Sequence, residues 1–155
     1  MKQLIKLKVN GEDYEVAAEP WRTLLEVVRE TIGFTGTKKG CDEGACGACT
    51  VLLDGKAVNS CLVLAIEAQG KDITTIEGLA EGDKLHPIQS AFVKNGGLQC
   101  GFCTPGMILN AKAFLDKNPA PTEEEIKFAI GGNLCRCTGY VKIVKSIQAA
   151  AEEMK

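Results

Sequence analysis

Eight cysteines in two sets constrain the fold of this 155-residue chain more than any other feature. The first set has the spacing C-x4-C-x2-C with a more distant fourth member, and it consists of Cys41, Cys46, Cys49 and Cys61. The second set is two close pairs, Cys100 with Cys103 and Cys135 with Cys137. No cysteine is left over, so the two spacings predict two separate sites that each use four thiols.

The start of the chain predicts a cytoplasmic protein. "MKQLIKLKVNGEDYEV" alternates charged and apolar residues as a strand does, and it has neither the apolar run nor the cleavage site of a secretory signal. In a reducing compartment, eight cysteines favour metal ligation over four stable disulfides. The net charge of −2 and the absence of a long apolar stretch predict neither a nucleic-acid partner nor a membrane span.

Short alternating runs in the first half predict a small sheet. "LIKLKVNGEDYEVAAE" and "TVLLDGKAVNSCLVL" each contain two runs, joined by the hairpin signals Asn10-Gly11 and Asp54-Gly55. "DITTIEGL" predicts one more strand, and "RTLLEVVRET" has the apolar spacing of a helix. We expect Trp21 to pack this helix onto the sheet.

Apolar residues three and four apart predict four helices in the second half. Their segments are "PIQSAFVKNGG", "PGMILNAKAFLDKNP", "TEEEIKFAIGG" and "GYVKIVKSIQAAAEEMK". Thr122 and Glu125 predict a capping box at the third helix. Thr104 followed by Pro105 predicts an N-cap and a first helical residue at the second.

The change of pattern predicts an α+β chain with two domains. The sheet domain covers residues 1–79, a short acidic linker covers 80–86, and the four-helix domain covers 87–155. His86, the only histidine, precedes the first of the four helices. We expect it to cap that helix or to lie at the surface, because cysteines can supply every metal ligand.

The first cysteine set has the spacing of a plant-type ferredoxin, which holds a [2Fe-2S] cluster. The sulfurs of such a cluster attract backbone N–H groups, and small residues let the backbone come close to them. Gly40, Gly44, Gly47, Ala45 and Ala48 supply these small residues. The alternatives are a zinc site, although structural zinc sites favour two C-x2-C pairs, and cysteines that serve only as small buried apolar residues.

The second set delivers its thiols at the start of two predicted helices. One pair precedes the helix that opens at Pro105, and the other precedes the helix that opens near Gly139. The positive end of a helix dipole favours a thiolate and an anionic cluster. Cysteines two residues apart predict that "NLCRCTG" is an extended turn that directs Arg136 outward. A second [2Fe-2S] cluster fits this set, with a zinc site as the alternative.

Three motifs together resemble one family: "GCDEGACGACTV", "QCGFCTPGM" and "GNLCRCTGY". They are similar to the small iron–sulfur subunit, or N-terminal iron–sulfur domain, of the molybdenum hydroxylases. This group includes xanthine dehydrogenase, aldehyde oxidoreductase, carbon monoxide dehydrogenase and 4-hydroxybenzoyl-CoA reductase. The resemblance covers nearly the whole chain and implies a β-grasp, ferredoxin-like domain and a four-helix bundle. It implies one [2Fe-2S] cluster on Cys41, Cys46, Cys49 and Cys61, and another on Cys100, Cys103, Cys135 and Cys137.

The resemblance also implies partners. In the family a large subunit carries the molybdopterin-type molybdenum cofactor and a medium subunit carries FAD, and we expect a heterotrimer or its dimer. In the family the helical-domain cluster lies beside molybdopterin, and the ferredoxin-like cluster lies beside the flavin. Gln99 and Cys137 match the family residues that contact molybdopterin. This chain has no G-x-G-x-x-G fingerprint or phosphate loop, and it is too short to enclose either cofactor as well. We therefore expect it to relay electrons and to hold no catalytic residue.

The sequence leaves open both the substrate and the choice between classes of function. The substrate candidates are 4-hydroxybenzoyl-CoA, xanthine or another N-heterocycle, an aldehyde and carbon monoxide. "CTGYVKIVKSI" and "LQCGFCTPGMI" are somewhat closer to the hydroxybenzoyl-CoA reductase type than to the xanthine type. The second functional hypothesis is a zinc-binding interaction module without a redox role. A free-standing two-cluster ferredoxin is a third possibility, within the redox class.

Overall fold

Two hairpins supply four of the five strands of one mixed sheet. The first hairpin pairs β1 (Gln3–Val9) with β2 (Glu12–Ala18), and the second pairs β3 (Thr50–Leu53) with β4 (Lys56–Asn59). Strand β5 (Asp72–Thr74) lies between them, parallel to β1 and antiparallel to β3, which produces the order β2-β1-β5-β3-β4. The structure is a computed structural model that describes residues Met1–Lys155, and it confirms both hairpins and the extra strand.

A single helix packs on this sheet. Helix α1 covers Leu24–Glu26 and continues as a π-helix over Val27–Ile32. Leu24, Val27 and Val28 are fully buried in the hydrophobic cluster that the helix shares with the strands. The prediction that Trp21 packs this helix onto the sheet is wrong, because Trp21 is 68% exposed. Trp21 lies in the turn before α1, and the aliphatic side chains of the helix already fill the contact with the sheet.

The second half contains the four predicted helices. They are α2 (Pro87–Lys94), α3 (Thr104–Leu115), α4 (Glu123–Ala129) and α5 (Tyr140–Glu153). All four contribute to one hydrophobic cluster, which includes Phe92, Met107, Ile126 and Ile147. The chain has no helix that combines the length and apolar character needed to span a membrane.

Helix starts follow the predicted caps with one exception. The Thr122 hydroxyl accepts the N–H of Glu125 at 3.3 Å, which confirms the capping box. His86 is confirmed as an N-cap, because its Nδ1 accepts the N–H of Ile88 at 3.3 Å. The prediction that Thr104 caps α3 is wrong by one residue, since the helix begins at Thr104 itself. Proline in a first turn needs no hydrogen bond from its nitrogen, so the helix can start one residue earlier.

The sheet and the four helices have separate hydrophobic clusters, and a smaller cluster joins them. Leu52 of β3 packs against Leu109 and Ala113 of α3 in a small third cluster. This contact fixes α3 on the sheet and brings the two cysteine sets to the same region. The chain is therefore a mixed α and β protein with a small sheet and five helices.

Candidate metal centres

The loop that contains the first three cysteines wraps its backbone around Cys41. The Sγ of Cys41 accepts N–H groups from Ala45 at 3.2 Å, Cys46 at 3.4 Å and Glu43 at 3.5 Å. These N–H groups, that of Glu43 foremost, lower the pKa of the Cys41 thiol to about 7. A Cβ on Gly40 would lie 2.7 Å from the Sγ of Cys46, so the predicted close approach of backbone to sulfur is present.

The other two cysteines of the first set lie deeper. Cys49 and Cys61 are buried together with Leu25. The Ser60 hydroxyl donates to the carbonyl oxygen of Cys49 at 2.6 Å and holds the two segments together. Burial, and then the adjacent Cys49 thiol, raise the pKa of Cys61 to about 11. The Cys46 thiol thus influences the pKa of Cys41, and the Cys49 and Cys41 thiols influence that of Cys61, so the four thiols of the first set lie near one another.

The thiols of the second set also lie near one another. The N–H of Phe102, and then the Cys137 thiol, lower the pKa of Cys100. Burial, and then the Cys135 thiol, raise the pKa of Cys103 to about 12. The thiols before α3 and before α5 thus lie near one another, although the two segments are far apart in the sequence.

The turn before α5 is a tight hydrogen-bonded turn and not the predicted extended one, because the N–H of Thr138 donates to the carbonyl oxygen of Cys135 at 3.0 Å. Burial alternates along it, with Cys135 buried, Arg136 exposed and Cys137 half-buried. The N–H of Cys135 donates to the Tyr140 hydroxyl at 2.7 Å, which ties the turn to the start of α5. The prediction that Arg136 points outward is confirmed.

The residues of both sets fit a [2Fe-2S] cluster. Such a cluster takes four thiolates across two irons, and each set brings its four cysteine thiols near one another. The buried hydroxyl of Thr104, next to Cys103, has no hydrogen-bond partner in the chain. Backbone N–H groups at Cys41 and helix starts after the second set favour negative charge at both sites.

The two loops touch each other at a contact that we call the seam, formed by Cys46 and Gly47 with Asn133 and Leu134. The N–H of Leu134 donates to the carbonyl oxygen of Cys46 at 2.9 Å. The Asn133 side chain donates to the carbonyl oxygen of Gly47 at 3.0 Å. Beside the seam lies a cavity of about 610 Å³ whose lining includes cysteines of both sets. Sequence reasoning missed Asn133, although the alternation in "NLCRC" places it on the same side as Cys135.

The predicted molybdopterin contacts lie beside the second set. Gln99 is exposed, and its Nε2 lies 3.3 Å from the position of a Cβ on Gly139. Leu98 and Phe102, which flank it, are 42% and 47% exposed. The Cys137 side chain lies near the Cys100 thiol and lowers its pKa. This surface is open to a molecule outside the chain.

Comparisons with known proteins agree with the geometry. Residues 7–80 match the family described as the 2Fe-2S iron-sulfur cluster binding domain, and residues 75–148 match the [2Fe-2S] binding domain. The nicotinate dehydrogenase small FeS subunit of Eubacterium barkeri is 52% identical over 97% of this chain and 96% of its own length.

Solved structures extend the comparison. Quinoline 2-oxidoreductase from Pseudomonas putida 86 contains a chain with a TM-score of 0.94 and 46% identity, over 97% of this chain and 94% of that one. The aldehyde oxidoreductase from Desulfovibrio desulfuricans ATCC 27774 matches with a TM-score of 0.93 and 42% identity over 98% of this chain. The matched region is 17% of that longer chain.

These matches show that the chain belongs to the family of small iron–sulfur subunits of the molybdenum hydroxylases. The resemblance predicted from the three motifs is confirmed. The chain is an oxidoreductase subunit that transfers electrons and carries two [2Fe-2S] clusters. The matches favour this redox function over a zinc-binding interaction module.

Proposed function

We propose that each cysteine set ligates one cluster. Cys41, Cys46, Cys49 and Cys61 hold the first, and Cys100, Cys103, Cys135 and Cys137 hold the second. The closeness of the thiols within each set supports this assignment. The fold proposal that goes with it is a β-grasp, ferredoxin-like domain over 1–79, a linker over 80–86 and a four-helix bundle over 87–155. The two separate hydrophobic clusters support that division.

The single observation that carries the function is the seam between the two loops. A bound [2Fe-2S] cluster accepts and releases one electron at a time. The backbone of the chain joins a proposed ligand of the first cluster, Cys46, to the neighbour of a proposed ligand of the second, Leu134, through one hydrogen bond. The N–H groups at Cys41 stabilise negative charge at one end of this path, and the starts of α3 and α5 do so at the other.

The partners are proposed from what each end exposes. At the second cluster, Gln99 and Cys137 contact the molybdopterin of a large subunit, and exposed Leu98 and Phe102 lie against that subunit. At the first cluster, Leu62 is 65% exposed next to Cys61, and a medium FAD subunit docks there. The longer aldehyde oxidoreductase chain, of which this chain matches 17%, supports a large partner. The assembly is a heterotrimer or its dimer in the cytoplasm.

Substrate choice is proposed to lie outside this chain. The relatives have similar sequences over this region, yet their names specify nicotinate, quinoline and aldehydes. Residues of a large subunit would then select the substrate. That two motifs of this chain are closer to the hydroxybenzoyl-CoA reductase type than to the xanthine type stays a prediction about the substrate.

Cluster-specific variants test the assignment. Purified wild-type protein should contain roughly four irons and four sulfides per chain and should lose visible absorbance on reduction with dithionite. Cys46→Ser should perturb one EPR signal and block reoxidation by the external acceptor, while substrate still reduces molybdenum. Cys103→Ser should perturb the other signal and separate molybdenum from the rest of the path.

Three results would contradict the proposal. A colourless protein that contains zinc would show that neither proposed cluster is present. Perturbation of the same signal by both variants would show that the ligand sets are wrongly divided. Loss of the molybdenum-coupled signal in the Cys46 variant alone would reverse the direction of the path, and copurification of the larger subunits with wild-type protein tests the partners.

A further inference from the structure

The Asn133 side chain is held in one orientation by three hydrogen bonds. The residue is 5% exposed. Its Nδ2 donates to the carbonyl oxygen of Gly47 at 3.0 Å and to the Thr50 hydroxyl at 3.3 Å. Its Oδ1 accepts the Nδ2 of Asn110 at 2.7 Å. Because Asn110 donates to the oxygen, the nitrogen of the Asn133 amide must face the first cysteine loop.

This amide connects the helices to the interior of the first loop. Asn110 lies on α3, and its Nδ2 also donates to the carbonyl oxygen of Ala129 at the end of α4 at 2.8 Å. At the other end, Gly47 lies between Cys46 and Cys49. Asn133 itself lies two residues before Cys135. One side chain therefore anchors a segment of each proposed ligand set to the same two helices.

The contact leaves no room for the loops to shift. A Cβ on Gly47, whose φ is +70°, would lie 2.6 Å from the carbonyl oxygen of Gly132 and 2.7 Å from the Nδ2 of Asn133. A Cβ on Gly106 would lie 2.5 Å from the carbonyl oxygen of Gly47. The first loop is thus enclosed by α3 on one side and by the turn before α5 on the other.

We infer that Asn133 is a positioning residue that sets the separation between the two clusters and so the rate of electron transfer between them. The inference rests on the proposed ligand sets. Buried amide hydrogen bonds in a complete network restrict motion, and the loss of one partner leaves the others unsatisfied. Because electron transfer slows as the distance between two clusters grows, we expect several-fold slower transfer between the clusters without the Asn133 amide.

The test compares Asn133→Ala with a matched control in the complete complex with its partner subunits. Asn59 supplies the control, because its Nδ2 donates to the carbonyl oxygen of Gly44 in the same loop at 3.1 Å but stays within the first half. In Asn133→Ala, the g values of each cluster should stay as in wild type. The magnetic splitting between the two reduced clusters should weaken, and electron transfer between them should slow several-fold. Asn59→Ala should keep the wild-type splitting and rate.

Wild-type splitting and rate in Asn133→Ala would overturn the inference, as would an equal loss in Asn59→Ala. If Asn133→Ala does not assemble, Asn110→Ala removes the bond that orients the amide, and wild-type splitting in that variant would overturn the inference. A wild-type protein without two clusters would refute the proposed function instead, so the two failures are distinguishable.

Discussion

The N–H of Leu134 donates to the carbonyl oxygen of Cys46 at 2.9 Å, and this bond joins two halves of the chain that have separate hydrophobic clusters. The side chain at Leu134 is on the surface, since the residue is 56% exposed. A backbone bond between the halves thus belongs to a residue that is itself exposed. The strength of the seam can be measured at this amide.

We expect the Leu134 amide to exchange with deuterium slowly despite the exposure of its residue. An amide exchanges only when its hydrogen bond opens, so the rate reports the free energy of opening the seam. The amide of Arg136 has no backbone partner and should exchange much faster. Hydrogen exchange with residue-level mass spectrometry checks this, and equal rates at the two amides would show that the seam opens freely.

Alanine at Gly47 should destabilise the protein more than alanine at Gly55. Both glycines have a positive φ, +70° and +74°, so both substitutions introduce the same kind of backbone strain. Only at Gly47 would the new Cβ collide with other atoms, whereas Gly55 has open space. Overpacking costs about 1–3 kcal/mol, and we expect a difference of that size in the free energy of unfolding by urea. Equal losses would mean that the turn before α5 can move aside.

The stability of the protein should depend on His86 in mildly acidic solution. Burial, followed by the charge of Lys112, lowers the pKa of His86 from 6.5, and the neutral Nδ1 is what caps α2. A lowered pKa in the folded state means that the stabilisation is complete above pH 6.5 and is lost as pH falls through the lower folded value. An N-cap contributes about 1 kcal/mol, which sets the expected size of the loss.

Two variants separate this effect from acid damage to the clusters. His86→Asn keeps a cap acceptor that does not titrate. As the pH falls from 7.5 to 5.5, its free energy of unfolding should therefore decrease less than that of the wild type. His86→Ala should be less stable than His86→Asn by a similar amount at both pH values. If wild type and His86→Asn change in parallel, the cap does not depend on the protonation of His86.

Gln99→Ala should leave both cluster spectra intact while electron delivery from molybdenum weakens. The substitution removes one proposed hydrogen bond to the pterin, worth about 1 kcal/mol, and no cluster ligand. Gln148→Ala is the control, because Gln148 lies in the groove between α4 and α5. Substrate-driven reduction of the clusters, followed by stopped flow, should slow several-fold in the first variant alone. Unchanged reduction would count against the pterin contact.

Local chemistry made the hairpins and caps predictable. Asn10 and Asp54 both take a positive φ, 54° and 49°, and few residue types other than these and glycine tolerate that conformation. A capping box is likewise complete within four residues, so the pattern at Thr122 could be read directly. The change to a π-helix at Val27 had no such local signal.

Contacts between the halves could not be predicted in the same way. Trp21 has a large apolar side chain of the kind that often lies in a core, but its position in a turn leaves it exposed. Only the packed structure shows that the aliphatic residues of α1 already fill the interface with the sheet. The alternation around Cys135 placed Asn133 on the inner side of the turn. That it reaches Gly47, 86 positions earlier, depends on how α3 packs on the sheet.

The small size of the seam has a consequence for how this chain could be recombined. The first cysteine loop contacts both α3 and the turn before α5, so the second half of the chain helps to shape it. A chimera that joins the first half of this chain to the second half of a relative would have to keep glycine at Gly47 and Gly106 and asparagine at Asn133. It would also have to keep the contact of Leu52 with Leu109 and Ala113, so we expect such an exchange to succeed only where all these positions match.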